Sequence, residues 1–102
     1  MKDDDTQSGI DPSQYGALSY FLRGYLHQDA VVEYGSSIGA AQAFRKDADE
    51  RETIVVRSQL DHLLSVTAKS TDSELEKIIA VLGSSWRFSS RKEVEQLRDA
   101  LK

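Results

Sequence analysis

Two histidines, His27 and His62, and seventeen carboxylates are the side chains of this 102-residue chain with the most chemistry to offer. A metal site built on the histidines needs a further ligand near both. No His-x-x-x-His, no Glu-x-x-His and no Asp-rich loop supplies one. His27, Asp29 and a serine can be drawn as a catalytic triad, but no Gly-x-Ser-x-Gly elbow presents a nucleophile. The carboxylate pairs Glu74/Glu76 and Glu93/Glu95 stand two apart, so on helices they point to different sides and read as solvated faces. Gly35 and Gly39 are too sparse to cradle a phosphate. Without cysteine there is no disulfide, no thiolate zinc site and no thiol nucleophile. The pattern predicts neither catalysis nor a metal or cofactor.

Charge narrows the class of partner. Thirteen basic residues face seventeen acidic ones, a formal net charge of −4, with no basic stripe along which a nucleic acid would lie. The one candidate recognition helix, residues 90–101, carries Arg91, Lys92 and Arg98, and Glu93, Glu95 and Asp99 offset them one for one. A small helical regulatory or DNA-binding protein is therefore the alternative to a protein-binding role. No apolar run approaches the ~18 residues of a membrane span. The opening MKDDDTQSGIDPS has no apolar stretch after its lysine, so a secretory signal is not expected and the chain reads as cytoplasmic.

The elements that must position any functional residue follow from periodicity and capping. Residues 1–10 are polar and acidic and are expected to form a flexible tail, with one helical domain over 11–102. Asp11-Pro12-Ser13-Gln14 is a helix start, and Leu18, Phe21, Leu22, Tyr25 and Leu26 recur on one face to about His27. Residues 28–35 lack helical periodicity and are expected to be an ordered loop burying Val31, Val32 and Tyr34. Ser36 or Ser37 caps a second helix bearing Ile38, Ala41 and Phe44, which runs to about Ala48. A third helix has Asp49, Glu50 and Glu52 in its first turn, a stripe of Val56, Leu60, Leu63, Leu64 and Thr67, and an apolar face broadened by Ile54 and Val55. Thr71-Asp72-Ser73-Glu74 is a capping box opening a fourth helix that Gly83 stops. Ser90-Arg91-Lys92-Glu93 is a second such box, starting a helix with Val94, Leu97 and Leu101 inward. Four to five helices on short loops predict an all-α antiparallel bundle.

One stretch is more specific than these patterns. Phe21-Leu22-Arg23-Gly24-Tyr25-Leu26-His27-Gln28-Asp29, then Tyr34-Gly35-Ser36 and an Ala-rich helix with Phe44, resembles the signature of the immunity proteins of contact-dependent growth inhibition systems (CdiI-type). These are the helical family with an aromatic-x-His-Gln-Asp segment. The likeness covers roughly residues 15–85 and is densest over 20–35. Where such proteins usually place an aromatic after the Asp, this chain has Ala30. The resemblance implies a bacterial cytoplasmic antitoxin, monomeric before complex formation. It would bind the C-terminal toxin domain of a cognate delivery protein, often a nuclease, and block it stoichiometrically. It implies no nucleic acid, membrane or cofactor partner.

Two readings of Tyr25, His27, Gln28 and Asp29 stay open. One puts them on the toxin-contacting surface. The other buries Tyr25 and uses His27, Gln28 and Asp29 to end the helix and pin the next loop. The second is the stronger, because a contact surface must track one toxin whereas a string shared across a family serves the fold. Toxin contacts are then expected among Asp47, Asp49, Glu50, Glu52 and Asp61, which would mimic phosphate to a basic cleft or simply be the wet start of a helix.

Overall fold

Proline has its φ preset near the helical value and no N–H to satisfy, so it suits a first helical position. Pro12 begins a single 3-10 turn, Pro12–Tyr15, which runs directly into α1, Gly16–Tyr25. The structure, a computed structural model, describes residues 12–27, 30–88 and 90–102. The expected tail over residues 1–10 and the proposed cap Asp11 lie outside the described residues. After α1 come α2 (Ala30–Tyr34), α3 (Ser37–Asp47), α4 (Glu50–Val66), α5 (Asp72–Leu82) and α6 (Arg91–Ala100). Among the described residues there is no strand, and the fold is an all-α bundle.

The sixth helix is the one the periodicity does not announce. The segment read as a loop holds α2, five residues long. A single turn is too short for a 3.6-residue repeat to show, and so short a helix holds only through tertiary packing. Its packing surface is α3, against which Tyr34 is half-buried, while Val32, expected inside, is 86% exposed. Gly39 in the first turn of α3 permits the approach, since a Cβ there would collide with the Tyr34 carbonyl oxygen.

Capping chemistry sets most of the other boundaries. Ser36 adopts an extended conformation and its Oγ accepts from the Gly39 N–H at 3.0 Å. Asp49 is the N-cap of α4. Its Oδ1 accepts from the Glu52 N–H at 2.8 Å, and Glu52 Oε1 accepts from the Asp49 N–H at 3.3 Å. Thr71 and Glu74 repeat this reciprocal arrangement at α5, at 3.1 and 2.8 Å. Each box satisfies two backbone donors that a helix start leaves without partners. Gly83 closes α5 with φ 131°, a conformation that glycine adopts without the penalty a side chain brings.

The box expected at α6 does not form. The Ser90 side chain makes no capping hydrogen bond. Glu93 turns instead to Ser37 and Trp86, with Oε2 accepting from Ser37 Oγ at 2.7 Å and from Trp86 Nε1 at 2.9 Å. Ser37 stands in the first turn of α3, where the helix dipole favours a carboxylate, and the half-buried indole N–H needs an acceptor. Those tertiary donors outweigh a local cap. Asp72 of α5 takes over part of that role, accepting from the Arg91 N–H at 3.1 Å.

The buried stripes converge on one cluster. Leu18, Phe21 and Leu22 of α1 meet Ala40, Ala41 and Phe44 of α3, Val56, Leu60, Leu63 and Leu64 of α4, Leu75, Ile79 and Leu82 of α5, and Val94 and Leu97 of α6. Ile54 and Val55, expected to widen the inner face of α4, are 41% and 39% exposed instead. α1 ends at Tyr25 rather than His27, with Leu26 leaving helical geometry as the C-cap at φ −111° and ψ 51°, and the Leu26 carbonyl, which a helix end leaves without an intrahelical donor, is satisfied from outside the helix. It accepts from the Ser85 and Trp86 N–H groups at 2.9 and 3.0 Å. Among the described residues no helix is long and apolar enough to cross a membrane.

Candidate functional site

The aromatic-x-His segment sits where α1, α2 and α3 meet, and Tyr25 is its centre. An α-helix places residues four apart on one face, so Phe21 and Tyr25 stack at a centroid distance of 5.8 Å. Tyr34 from α2 stacks on the Tyr25 ring at 5.7 Å, and Phe44 from α3 meets it edge-on at 5.3 Å. Offset and edge-to-face arrangements of this kind add stabilisation beyond the area they bury. The Tyr25 hydroxyl donates to Asp47 Oδ2 at 2.8 Å, tying the end of α1 to the end of α3. Burial, with the neighbouring Asp47 carboxylate, pushes the Tyr25 phenol up to about 12. His27 lies beside this cluster, its Nε2 2.8 Å from Glu33 Oε1 and its ring 6.4 Å from that of Tyr34. Gln28 and Asp29 lie outside the described residues.

Among the described residues, the Tyr25 to Asp47 hydrogen bond joins the two sets of residues singled out from sequence. It does not gather the acidic set into a site. Asp49 and Glu52 hold the start of α4, and Asp61 pairs with Arg98 at 3.0 Å. Glu50 and Asp61 are eleven residues apart, about 16 Å along one side of α4. Arg45, Lys46, Arg51 and Arg57 are interleaved with these carboxylates in the chain, so the corner between α3 and α4 carries little net charge. A shallow groove there is lined by Asp49, Glu50, Arg51, Ile54 and Val55.

The histidines do not come together either. His62 Nδ1 lies within hydrogen-bond distance of the buried Tyr15 hydroxyl, at 3.2 Å, with the rings stacked at 5.9 Å. His27 is occupied at the α1–α2 junction. Among the described residues no group of three or more potential metal ligands forms.

Arg91 and Gln59 take structural parts that the sequence does not signal. Arg91 reaches across to the C-terminal end of α4, where its guanidinium donates to the carbonyls of Thr67, Leu64 and Ser70. A cation there answers both the orphan carbonyls and the negative end of the helix dipole. Arg98 is held by Asp61 and Asp99. The two arginines that a recognition helix would offer to phosphate are thus engaged within the fold. Gln59 Oε1 accepts from the Leu18 N–H at 2.9 Å. Nothing local marks Arg91 or Gln59 as a cap, because their acceptors and donors are distant in the chain.

A family model described as CdiI immunity protein matches residues 14–99. No curated protein matches the chain. No solved structure matches it.

Proposed function

Because the chain belongs to the CdiI immunity protein family, we propose that it binds and neutralises the cognate C-terminal toxin domain of a contact-dependent growth inhibition system, acting as a stoichiometric inhibitor and not as an enzyme. The family match over residues 14–99 carries this reading. The free protein acts as a monomer in the cytoplasm of the producing cell and blocks the toxin by covering it. Tyr25 and His27 serve the scaffold in this proposal: Tyr25 packs on Phe21, Tyr34 and Phe44 and donates to Asp47, and His27 lies against Glu33, so both side chains are engaged where α1, α2 and α3 meet.

The resemblance makes a nuclease the expected toxin class. Asp47, Asp49, Glu50, Glu52 and Asp61 would face its basic residues, but the interleaved Arg45, Lys46, Arg51 and Arg57 dilute any phosphate mimicry. Steric occlusion is accordingly the proposed mode of inhibition. The DNA-binding alternative is disfavoured by the capture of Arg91 at the end of α4 and of Arg98 by two carboxylates.

An inhibitor of a toxin made in the same cell must leave almost none free, which requires a dissociation constant of about 1 nM or below. An interface of about 1,600 Å² reaches this when it contains a few well-packed anchors. If a large exported protein is encoded next to this chain, co-expression with its C-terminal toxin domain, then pull-down and calorimetry, tests the proposal. A one-to-one complex and rescued growth are expected. Absence of a complex with that neighbour refutes it.

A further inference from the structure

α6 is the last helix of the bundle, and little apolar surface holds it there. Its ten residues bury Val94 and Leu97, with Leu101 just beyond its end. The seventeen-residue α4, by contrast, buries Val56, Leu60, Leu63 and Leu64. A helix of ten residues is marginal in water by itself, so α6 persists only while it is docked. Polar contacts supply the rest of the hold, and among the described residues carboxylates take part in three of them. Asp72 of α5 accepts from the Arg91 N–H at 3.1 Å, and Asp61 of α4 pairs with Arg98 at 3.0 Å. Glu93 of α6 accepts from Ser37 and Trp86.

Glu93 differs from the other two. Asp61 and Asp72 are exposed, where an ion pair or a single hydrogen bond contributes little against water. Glu93 is half-buried, and its Oε2 accepts both from the hydroxyl of the buried Ser37 on α3 and from the Trp86 indole. Trp86 is itself tied to the end of α1, its backbone N–H donating to the Leu26 carbonyl at 3.0 Å. One carboxylate oxygen thus fastens α6 to α3 and, through the loop after α5, to α1. Both bonds draw strength from the negative charge, which a proton on the carboxyl removes. The buried hydroxyl and the indole would then contest a weaker acceptor. Of the charged groups around α6, α4 brings Asp61 and α5 brings Asp72, while Arg87 of the loop pairs with Glu76. α3 brings the neutral Ser37, and α6 itself carries Arg91, Lys92, Glu95, Arg98 and Asp99.

We propose that Glu93 is an acid-released latch: protonation of its carboxylate frees Ser37 and Trp86, and α6 leaves the bundle while α1, α3, α4 and α5 stay folded. Those four helices keep their contacts with one another when α6 leaves, since α1 packs directly on α3, α4 and α5, and α3 packs on α4. The Arg91 guanidinium keeps its charge in acid, so its bonds to the Leu64 and Thr67 carbonyls tether the start of α6 to α4. The opening bares Val94, Leu97 and Leu101. The latch is complete with Glu93 ionised and is lost as the pH falls. It does not depend on which partner the protein binds.

Acid titration of the full-length protein tests the latch, with Trp86, the one tryptophan of the chain, as its reporter. The titration runs from about pH 7 to about pH 3, which spans carboxylate ionisation. Along it the Trp86 emission should shift and the amides of 91–101 should lose hydrogen-exchange protection at a pH where those of 56–64 in α4 keep theirs. Glu93→Gln has no carboxylate to titrate. Near neutral pH its α6 amides should already be at least about tenfold less protected than wild type, with those of 56–64 within about threefold. Asp61→Asn and Asp72→Asn should keep α6 protection within about threefold of wild type. Protection lost over 56–64 and 91–101 at the same pH overturns the latch, as does Glu93→Gln with wild-type protection over α6. Opening of α6 in Asp61→Asn or Asp72→Asn equal to that in Glu93→Gln gives the trigger to another carboxylate and overturns the proposal. If Glu93→Gln does not fold, the wild-type titration decides alone.

Discussion

Removing one oxygen atom from Tyr25 separates a scaffold role from a contact role at the aromatic-x-His segment. Tyr25→Phe keeps the ring, and with it the stacking on Phe21 and Tyr34 and the edge contact with Phe44. It deletes the 2.8 Å hydrogen bond to Asp47. A hydrogen bond to a charged acceptor contributes about 1.5–3 kcal/mol when well buried, but Asp47 is exposed, so the expected loss is about 1 kcal/mol. In a domain of this size that lowers the melting temperature by roughly 4–8 °C. Tyr25→Ala also forfeits three aromatic contacts and should cost about 3 kcal/mol or more. The pH dependence gives the hydrogen bond a second signature. The Tyr25 phenol ionises at about 12 in the folded protein, above its ordinary value of 10.0. Its contribution is therefore complete below about pH 10 and is lost as the pH climbs towards 12. Phenylalanine has no proton to lose, so the stability gap between wild type and Tyr25→Phe should close over that window. Tyr15 and Tyr34, whose phenols burial also raises, titrate in both proteins and cancel in the comparison. Circular dichroism melts between pH 7 and pH 12 measure the gap, and growth rescue by the variant at low temperature reports neutralisation. The scaffold argument fails if Tyr25→Phe melts with wild type throughout while losing neutralisation.

Other parts of the fold give independent checks. Phe21, 0% exposed and 4.9 Å from Phe44, should cost about 3–5 kcal/mol as Phe21→Ala, and Leu63→Ala about 2–5 kcal/mol, both read by urea unfolding. Glu93→Ala should destabilise by about 1–3 kcal/mol and shift the emission of Trp86, because the indole N–H and the Ser37 hydroxyl lose a shared acceptor. Unchanged fluorescence would contradict that geometry. Arg91→Met leaves the end of α4 without its cation and should cost about 1–2 kcal/mol in thermal melts. Gly83→Ala should cost about 1–3 kcal/mol, since φ 131° strains an alanine and its Cβ would push the Arg23 stem aside.

Local chemistry made much of this protein legible in the sequence. The boxes at Asp49/Glu52 and Thr71/Glu74, the Ser36 cap and the Gly83 stop act within one turn of chain, so residue type and spacing suffice to place them. The 3.6-residue stripes likewise named the buried faces of α1, α4 and α6, and the all-α class followed from them. The string from Phe21 to Asp29 carried the family resemblance, and the CdiI immunity protein match agrees with it.

Tertiary structure decided whatever depends on partners far apart in the chain. Glu93 has the spacing of a capping residue, yet Ser37, 56 positions earlier, and the Trp86 indole compete for its carboxylate and win. Residues 28–35 carry no helical period, but packing on α3 stabilises a single turn that propensity alone would leave unformed. Ile54 and Val55 are apolar enough for a core position. Whether another helix covers them is a property of the bundle, and none buries them. The charged residues show the same limit. Sequence counts Arg23, Arg91 and Arg98 alike, while the fold sends Arg91 to the end of α4, pairs Arg98 with Asp61 and, among the described residues, leaves Arg23 without an ion-pair partner. Charge and hydrophobicity are properties of a residue, but neutralisation and burial are properties of its neighbours, which only the folded chain specifies.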